Sequence, residues 1–215
     1  MHPSLSVTPQ RVAIIGASRL GTYLGAFLPQ TPGFSCAGYF DDTFPPGTPN
    51  LLGTLADIPA RFAEGKFDSL MVGIGYGNME FRKQIYERLA PTIPFATCIH
   101  PTAWVDESAR IGPGCYVAPL CMVDQDAVLE ANVMLNLGVM VAHNARVGTH
   151  SFLAGFTLLA GYVEIGELCY MGIRTTAIDK ITLGARVRSG ASATFIKSAP
   201  DPGLYVGTPA RWVKE

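Results

Sequence analysis

The sequence predicts two folds in series: a small α/β domain over residues 1–98, then a three-sided parallel β-solenoid over residues 99–215. Two observations predict this. From Ile99 the chain divides without a gap into 16 hexamers ending at Thr194. Before Ile99, apolar runs alternate with amphipathic stretches, the pattern of strand–helix–strand units.

In the front region, RVAIIG (11–16) reads as a buried strand and ASRLGTYLGAFL as the helix that follows. FSCAGYFDD is a second strand ending in two carboxylates, and FDSLMVGIG a third. NMEFRKQIYERLA is an amphipathic helix with apolar Met79, Phe81, Ile85 and Leu89, and PFATCI is a fourth strand. FPPGTPN (44–50) is an irregular loop, rich in Pro and Gly. Alternating strands and helices imply a parallel sheet.

The first strand-to-helix turn is Gly16-Ala17-Ser18-Arg19-Leu20-Gly21, a G-x-G-x-x-G with Ser in place of the middle glycine. Backbone N–H groups at such a helix start can hold a phosphate. Asp41, about 25 residues on at the end of the second strand, stands where an acid often contacts a ribose. Gly21 is followed by Thr22 rather than Lys, so this is not a Walker loop. The region is short for two mononucleotide halves. It reads as a Rossmann-like domain for one nucleotide rather than a dinucleotide.

In the hexamers, the first position is Ile, Val, Leu or Met in 14 of the 16, with Ala177 and Ser189 the exceptions. The fifth is always small or β-branched. A period of six fits neither a helix at 3.6 nor a strand at 2. It fits a coil in which each hexamer is one flat side and three sides close a triangle. The first side chain then fills the interior, and the fifth points inward near a corner, where only a small group fits.

Composition narrows the partners. Charged residues are 15 % of the chain, against about 25 % in a typical soluble domain, so part of the surface is expected to lie against another chain. A formal net charge of −1 argues against nucleic acid or an anionic membrane. No apolar run reaches the roughly 18 residues of a membrane span. The first ten residues lack the apolar stretch of a signal peptide, so the expected address is cytoplasmic. The cysteines lack paired spacing, and Cys115, Cys121 and Cys169 fall on the small fifth position, as buried thiols would. His2, His100, His143 and His150 show no zinc-type spacing with them, and no metal is expected.

A short Rossmann-like domain leading through IHPTA into hexapeptide repeats resembles the bacterial sugar acetyltransferases of the NeuD/PglD type. The markers are GAS at 16–18, FDD at 40–42, FRKQIYERL at 81–89, LNLGVMVAHN at 135–144 and VGTPAR at 206–211. They span most of the chain. The resemblance implies that the coil is a left-handed parallel β-helix of hexapeptide repeats. It implies a homotrimer with active sites in the clefts between subunits. The activity it implies is transfer of acetyl from acetyl-CoA to the amine of a nucleotide-linked (UDP, dTDP or GDP) amino sugar, in glycan or polysaccharide synthesis. An O-acetyltransferase of a sugar hydroxyl, of the sialic-acid type, is the alternative. A nucleotide-binding front domain favours the first.

The same resemblance implies His143 as general base, with Asn136 beside it in the active site. Aminolysis of a thioester needs a base for the amine proton, and a neutral imidazole suits that task. His143 is third in its hexamer and is expected to face outward. For coenzyme A the resemblance points to Gly161, Ile173 and Ala191. Gly161 is 18 residues after His143 and should stack on it, leaving room for the pantetheine arm. Candidates for the acceptor nucleotide are Gly16, Ala17, Ser18, Asp41, Asp42 and Arg82, though Arg82 reads equally as a helix-surface charge.

The chain departs from the family at several places. Asn144 follows the histidine where an acid is usual. Its amide oxygen can orient the imidazole but brings no full charge. Asp126, 18 residues earlier, is the candidate to supply that charge. Phe152 stands where some relatives carry a histidine that touches the cofactor, and His150 nearby reads as an exposed repeat residue. Leu20 replaces a histidine that faces the sugar nucleotide.

Overall fold

The computed structural model describes residues 8–214; His2 and most of the stretch read for a signal peptide lie outside them. The chain forms two compact units: residues up to Ile74 with Leu89–Ala96, and Gly75–Arg88 with Thr97 onward.

The first unit holds a four-stranded parallel sheet in the order β3–β2–β1–β4. The strands are β1 (Gln10–Ile15), β2 (Phe34–Phe40), β3 (Leu51–Gly53) and β4 (Ser69–Val72). Helix α1 (Arg19–Phe27) follows β1, and α2 (Ile58–Ala63) precedes β4. Val12–Ile15 and Leu70–Val72 are buried, as the continuous apolar runs predict for a sheet covered on both faces.

PFATCI does not supply a full strand to this sheet. Phe95 makes one isolated bridge to Leu70, and Cys98–Ile99 opens the solenoid instead. The fourth strand is β3, paired to Tyr39 and Phe40. At three residues it is too short to show an alternating pattern. A 3-10 turn, Leu55–Asp57, closed by a capping box between Thr54 and Asp57, leads into α2 and is a local signal that the pattern of apolar runs does not display.

The second unit is a parallel β-solenoid of the left-handed β-helix type. Its short strands pair at an 18-residue offset on three sides, as in Val128 with Arg146, Met134 with Phe152 and Met140 with Leu158. Interior first-position residues such as Val117, Leu135, Val141 and Leu159 are fully buried. So are small fifth-position residues such as Cys115 and Ala145.

The corners carry a feature that the hexamer pattern left hidden. From Leu120 to Ser192, every fourth-position residue other than Gly138 is a non-glycine with φ between 54° and 62°. That left-handed conformation costs an L-residue about 1–2 kcal/mol. It is held because fourth-position N–H groups donate one coil back, those of Leu120 and Asp126 to the hydroxyls of Thr102 and Ser108 and the others to backbone carbonyls. Examples are Asn144 to Gln125 at 2.8 Å, Tyr162 to His143 at 3.1 Å and Lys180 to Gly161 at 3.0 Å. These bonds leave no orphan donor at the corner.

The three sides differ in what they present outward. One is polar, with Arg110, Arg146 and Glu164. A second is apolar and exposed, with Trp104, Met122, Met140 and Leu158 in a row. The third is aromatic, with Tyr116 and Phe152 buried and Tyr170 half-buried.

Helix α3 (Met79–Leu89) runs along the corner between the polar and aromatic sides. Glu80 pairs with Arg186, Lys83 with Glu167 at 3.1 Å, and Tyr86 O–H donates to the Pro113 carbonyl at 3.2 Å. At the far end, a hairpin of Gly203–Val206 and Arg211–Val213 closes the coil, with the Tyr205 ring against the buried Phe195.

Candidate active site

His143 sits at the corner that joins the apolar side, at Met140–Val141, to the polar side, at Arg146–Val147. It is exposed, as its place in the hexamer predicts. Asn144 Oδ1 lies 3.2 Å from His143 Nδ1. A carbonyl oxygen only accepts, so Nδ1 carries the proton and Nε2 keeps its lone pair. Asn144 can hold this geometry because its backbone is fixed at φ 58° by the corner ladder. Asn tolerates that conformation better than most residues.

Among the described residues, Asn144 is the hydrogen-bond partner of the imidazole, and Asp126 is not. Asp126 occupies the same corner one coil earlier, with its N–H donated to Ser108 Oγ at 2.9 Å.

Gly161 lies directly over the ring. A Cβ there would stand 2.6 Å from His143 Cε1 and 2.7 Å from Nε2. The expectation was room for the pantetheine arm; in the structure the missing side chain makes room for the imidazole itself. Tyr162, next along, packs its ring edge-on to the imidazole at 5.4 Å and 86°. The sequence reading missed Tyr162, although its place one coil and one residue after His143 was countable.

Asn136 is half-buried at the other end of the apolar side, and its Oδ1 accepts from the Leu137 N–H at 2.8 Å. Ile173 and Ala191 belong to that same corner two and three coils on. Both are exposed, and the Ser192 N–H donates to the Ile173 carbonyl at 2.8 Å. Gly161 shares the His143 corner. Within one chain, therefore, the residues assigned to base and coenzyme occupy both edges of the apolar side.

Phe152 stands apart from them, on the aromatic side. Its ring is 3 % exposed, packed against Tyr76 at 5.7 Å and Tyr170 at 6.0 Å. His150 is not an exposed repeat residue: it is 3 % exposed beneath α3, and burial pushes its pKa down. Arg82 is neither a surface charge nor open to a phosphate. It is 1 % exposed, and its Nη2 donates to Asn132 O at 3.0 Å and Asn132 Oδ1 at 2.6 Å. Burial lowers its pKa to about 10, which leaves it charged at neutrality.

In the first unit, the Gly16–Ser18 turn and Asp41 do come together. Ala17 N–H donates to Asp41 Oδ2 at 2.7 Å, and Thr43 donates to Oδ1 from both N–H and O–H. Partial burial works to raise the Asp41 pKa, but these hydrogen bonds outweigh it and the net shift is downward. The carboxylate thus takes the Ala17 donor that a phosphate was expected to use. Asp42 braces the next turn by accepting from Leu55 N–H at 2.8 Å. Gly16 has φ 101°, and a Cβ on Gly73 would stand 2.7 Å from Gly21 Cα, so three backbones meet closely at this turn.

All five cysteines are free thiols. Among the described residues, no group of three or more His, Cys, Asp or Glu side chains is placed to hold a metal ion, and no helix is long and apolar enough to cross a membrane.

No family model and no curated protein sequence matches the chain. Solved structures do. The acetyltransferase domain of PglB from Neisseria gonorrhoeae matches with a TM-score of 0.86 and 26% identity, over 95% of this chain and 100% of that one. PerB from Caulobacter crescentus, in complex with CoA and GDP-perosamine, matches with 0.87 and 26%, over 94% and 97%. A variant of that GDP-perosamine N-acetyltransferase with one histidine replaced by alanine matches with 0.88 and 25%, over 95% and 97%. These neighbours are sugar acetyltransferases of the NeuD/PglD type, so the resemblance carried by the motifs extends over both units.

Proposed function

We propose that this chain is an acetyl-CoA-dependent N-acetyltransferase acting on the amine of a nucleotide-linked amino-deoxy sugar, with His143 as general base. The observation that carries the reading is the imidazole: outward-facing, its Nδ1–H held by Asn144 and its Nε2 left as acceptor. The neighbours, solved with acetyl-CoA or with CoA and GDP-perosamine, support the two substrates.

The chemistry follows from that geometry. The amine nitrogen bonds to the thioester carbonyl carbon, and its proton passes to Nε2. The C–S bond then breaks, and the imidazolium returns the proton to the departing sulfur. Asn144 holds the Nδ1 proton throughout, so that Nε2 is the nitrogen that takes and returns the proton. Gly161 fixes the ring plane from the coil above. Ile173 and Ala191, apolar and one coil apart, suit the pantetheine arm.

The reading takes a homotrimer. Trp104, Met122, Met140 and Leu158 are between 37% and 50% exposed in a continuous row, the surface a second copy would cover. His143 lies at its edge, where a cleft between copies would form. The first unit is the Rossmann-like nucleotide domain, with Gly16–Ser18, Asp41 and Asp42 at the carboxyl ends of β1 and β2. Acetyl-CoA and sugar nucleotides share the cytoplasm, which is the working address.

The test is release of CoA thiol from acetyl-CoA with a panel of UDP-, dTDP- and GDP-linked amino sugars. Turnover with one amine acceptor is expected. Turnover only with hydroxyl sugars would replace this reading with O-acetylation.

A further inference from the structure

Beside the start of α3, the second unit holds a cavity of about 460 Å³ that the catalytic reading does not use. Its volume lies within the roughly 300–1,000 Å³ of small-ligand sites. Tyr76 and Tyr170 form one wall, stacked at 4.5 Å and 24°. Tyr76 is 57 % exposed, a flat apolar platform held in place from behind by Tyr170 and Phe152. Arg186 and Arg188 also line the cavity, and Arg186 pairs with Glu80. The lining therefore carries one positive charge more than negative. Guanidinium groups match phosphate in shape and charge. A ring above Tyr76 and a phosphate between the arginines is the ligand this arrangement fits.

We propose that this cavity binds the phosphate-bearing part of the acceptor, with a ring of that molecule stacked on Tyr76 and its phosphate held by Arg186 and Arg188. The proposal rests on the transferase reading and names a subsite for it. One observation favours the acceptor over coenzyme A. None of His143, Gly161, Ile173 or Ala191 lines the cavity; they occupy the other two corners of the coil.

The experiment is calorimetric titration of the full chain with UDP, dTDP and GDP, with a hexose 1-phosphate, and with adenosine 3′,5′-bisphosphate. It compares wild type, Tyr76→Ala and Arg188→Gln, and records the thermal midpoint of each. The expected result is a loss of at least about tenfold in nucleoside diphosphate affinity in both variants, with midpoints and the KM for acetyl-CoA unchanged. A parallel loss for the hexose 1-phosphate places the sugar end on Tyr76; loss for the nucleotides alone places the nucleoside end there. Undiminished nucleotide binding in folded variants overturns the proposal. So does loss of adenosine bisphosphate binding alone, or a wild type that binds none of the probes. Because binding is read without turnover, absent acetyl transfer beside a positive titration would reject the transferase reading and leave the cavity assignment standing.

Discussion

At the scale of single residues, two neighbours set the His143 imidazole. Gly161 has no left-handed φ, so Ala is compatible with its backbone, but the added methyl would meet His143 Cε1 and Nε2. Gly161→Ala is expected to lower kcat by about tenfold or more through a misplaced base, while the fold survives. Steady-state kinetics beside a thermal melt check this, and an unchanged kcat would remove the glycine from the catalytic account. Asn144→Asp tests the other neighbour. A carboxylate at Nδ1 stabilises the imidazolium, so the acid limb of the pH–rate profile moves to higher pH. A limb that stays in place would mean that Asn144 does not orient the base. The corner positions of His143, Asn136 and Gly161 were legible because the 18-residue coil sets them. Asn144 as the acceptor of the Nδ1–H was half legible: its identity was evident, but its left-handed backbone was not, since Leu, Phe and Lys occupy equivalent corners without strain visible in the letters.

At the scale of elements, α3 shows where pattern reading misses. The apolar set Met79, Phe81, Ile85 and Leu89 predicted one buried face. In the structure Ile85, Tyr86 and Leu89 are buried with Arg82, and Phe81 is 37 % exposed. A buried arginine breaks the apolar signal, and only its partner, Asn132 fifty residues away, explains it. Arg82→Ala leaves both Asn132 oxygens without this donor and opens a cavity. It is expected to cost about 3 kcal/mol in denaturant unfolding. A loss below about 1 kcal/mol would make the contact dispensable. Asn132 Nδ2 also meets His150 Nδ1 at 3.0 Å, with Glu87 Oε1 3.7 Å from Nε2. Burial lowers the His150 pKa, and nearby Arg82 and Lys83 push the same way, against Glu87 and Glu167. The folded state then binds fewer protons than the unfolded one below the ordinary histidine value of 6.5, so stability falls as pH drops through that region. His150→Gln should flatten that part of the stability–pH curve. An equally steep curve in the variant would assign the acid sensitivity elsewhere.

At the scale of the whole molecule, the hexamer repeat was the most legible feature because the period itself is the architecture. Each first-position aliphatic has one place to go, the coil interior. The front sheet was less legible. β3 has three residues, and its pairing to β2 is set by tertiary register rather than by pattern. The one side with exposed Trp104, Met122, Met140 and Leu158 carries the oligomer proposal. In a cyclic assembly the acceptor cavity of one copy can serve His143 of the next. Co-expressed His143→Ala and Arg188→Gln chains should then regain activity at roughly a quarter of the sites by random mixing. No recovery in mixed oligomers would place both groups of each site within a single chain.

The central claim is that His143 is the base. The most direct measurement is the pH–rate profile for acetyl transfer to the preferred amino-sugar nucleotide, in wild type and His143→Ala. With His143 as base, kcat falls by about 10²–10⁴ in the variant and the acid limb disappears, with the thermal midpoint unchanged. A folded variant that keeps both its rate and its acid limb would contradict it.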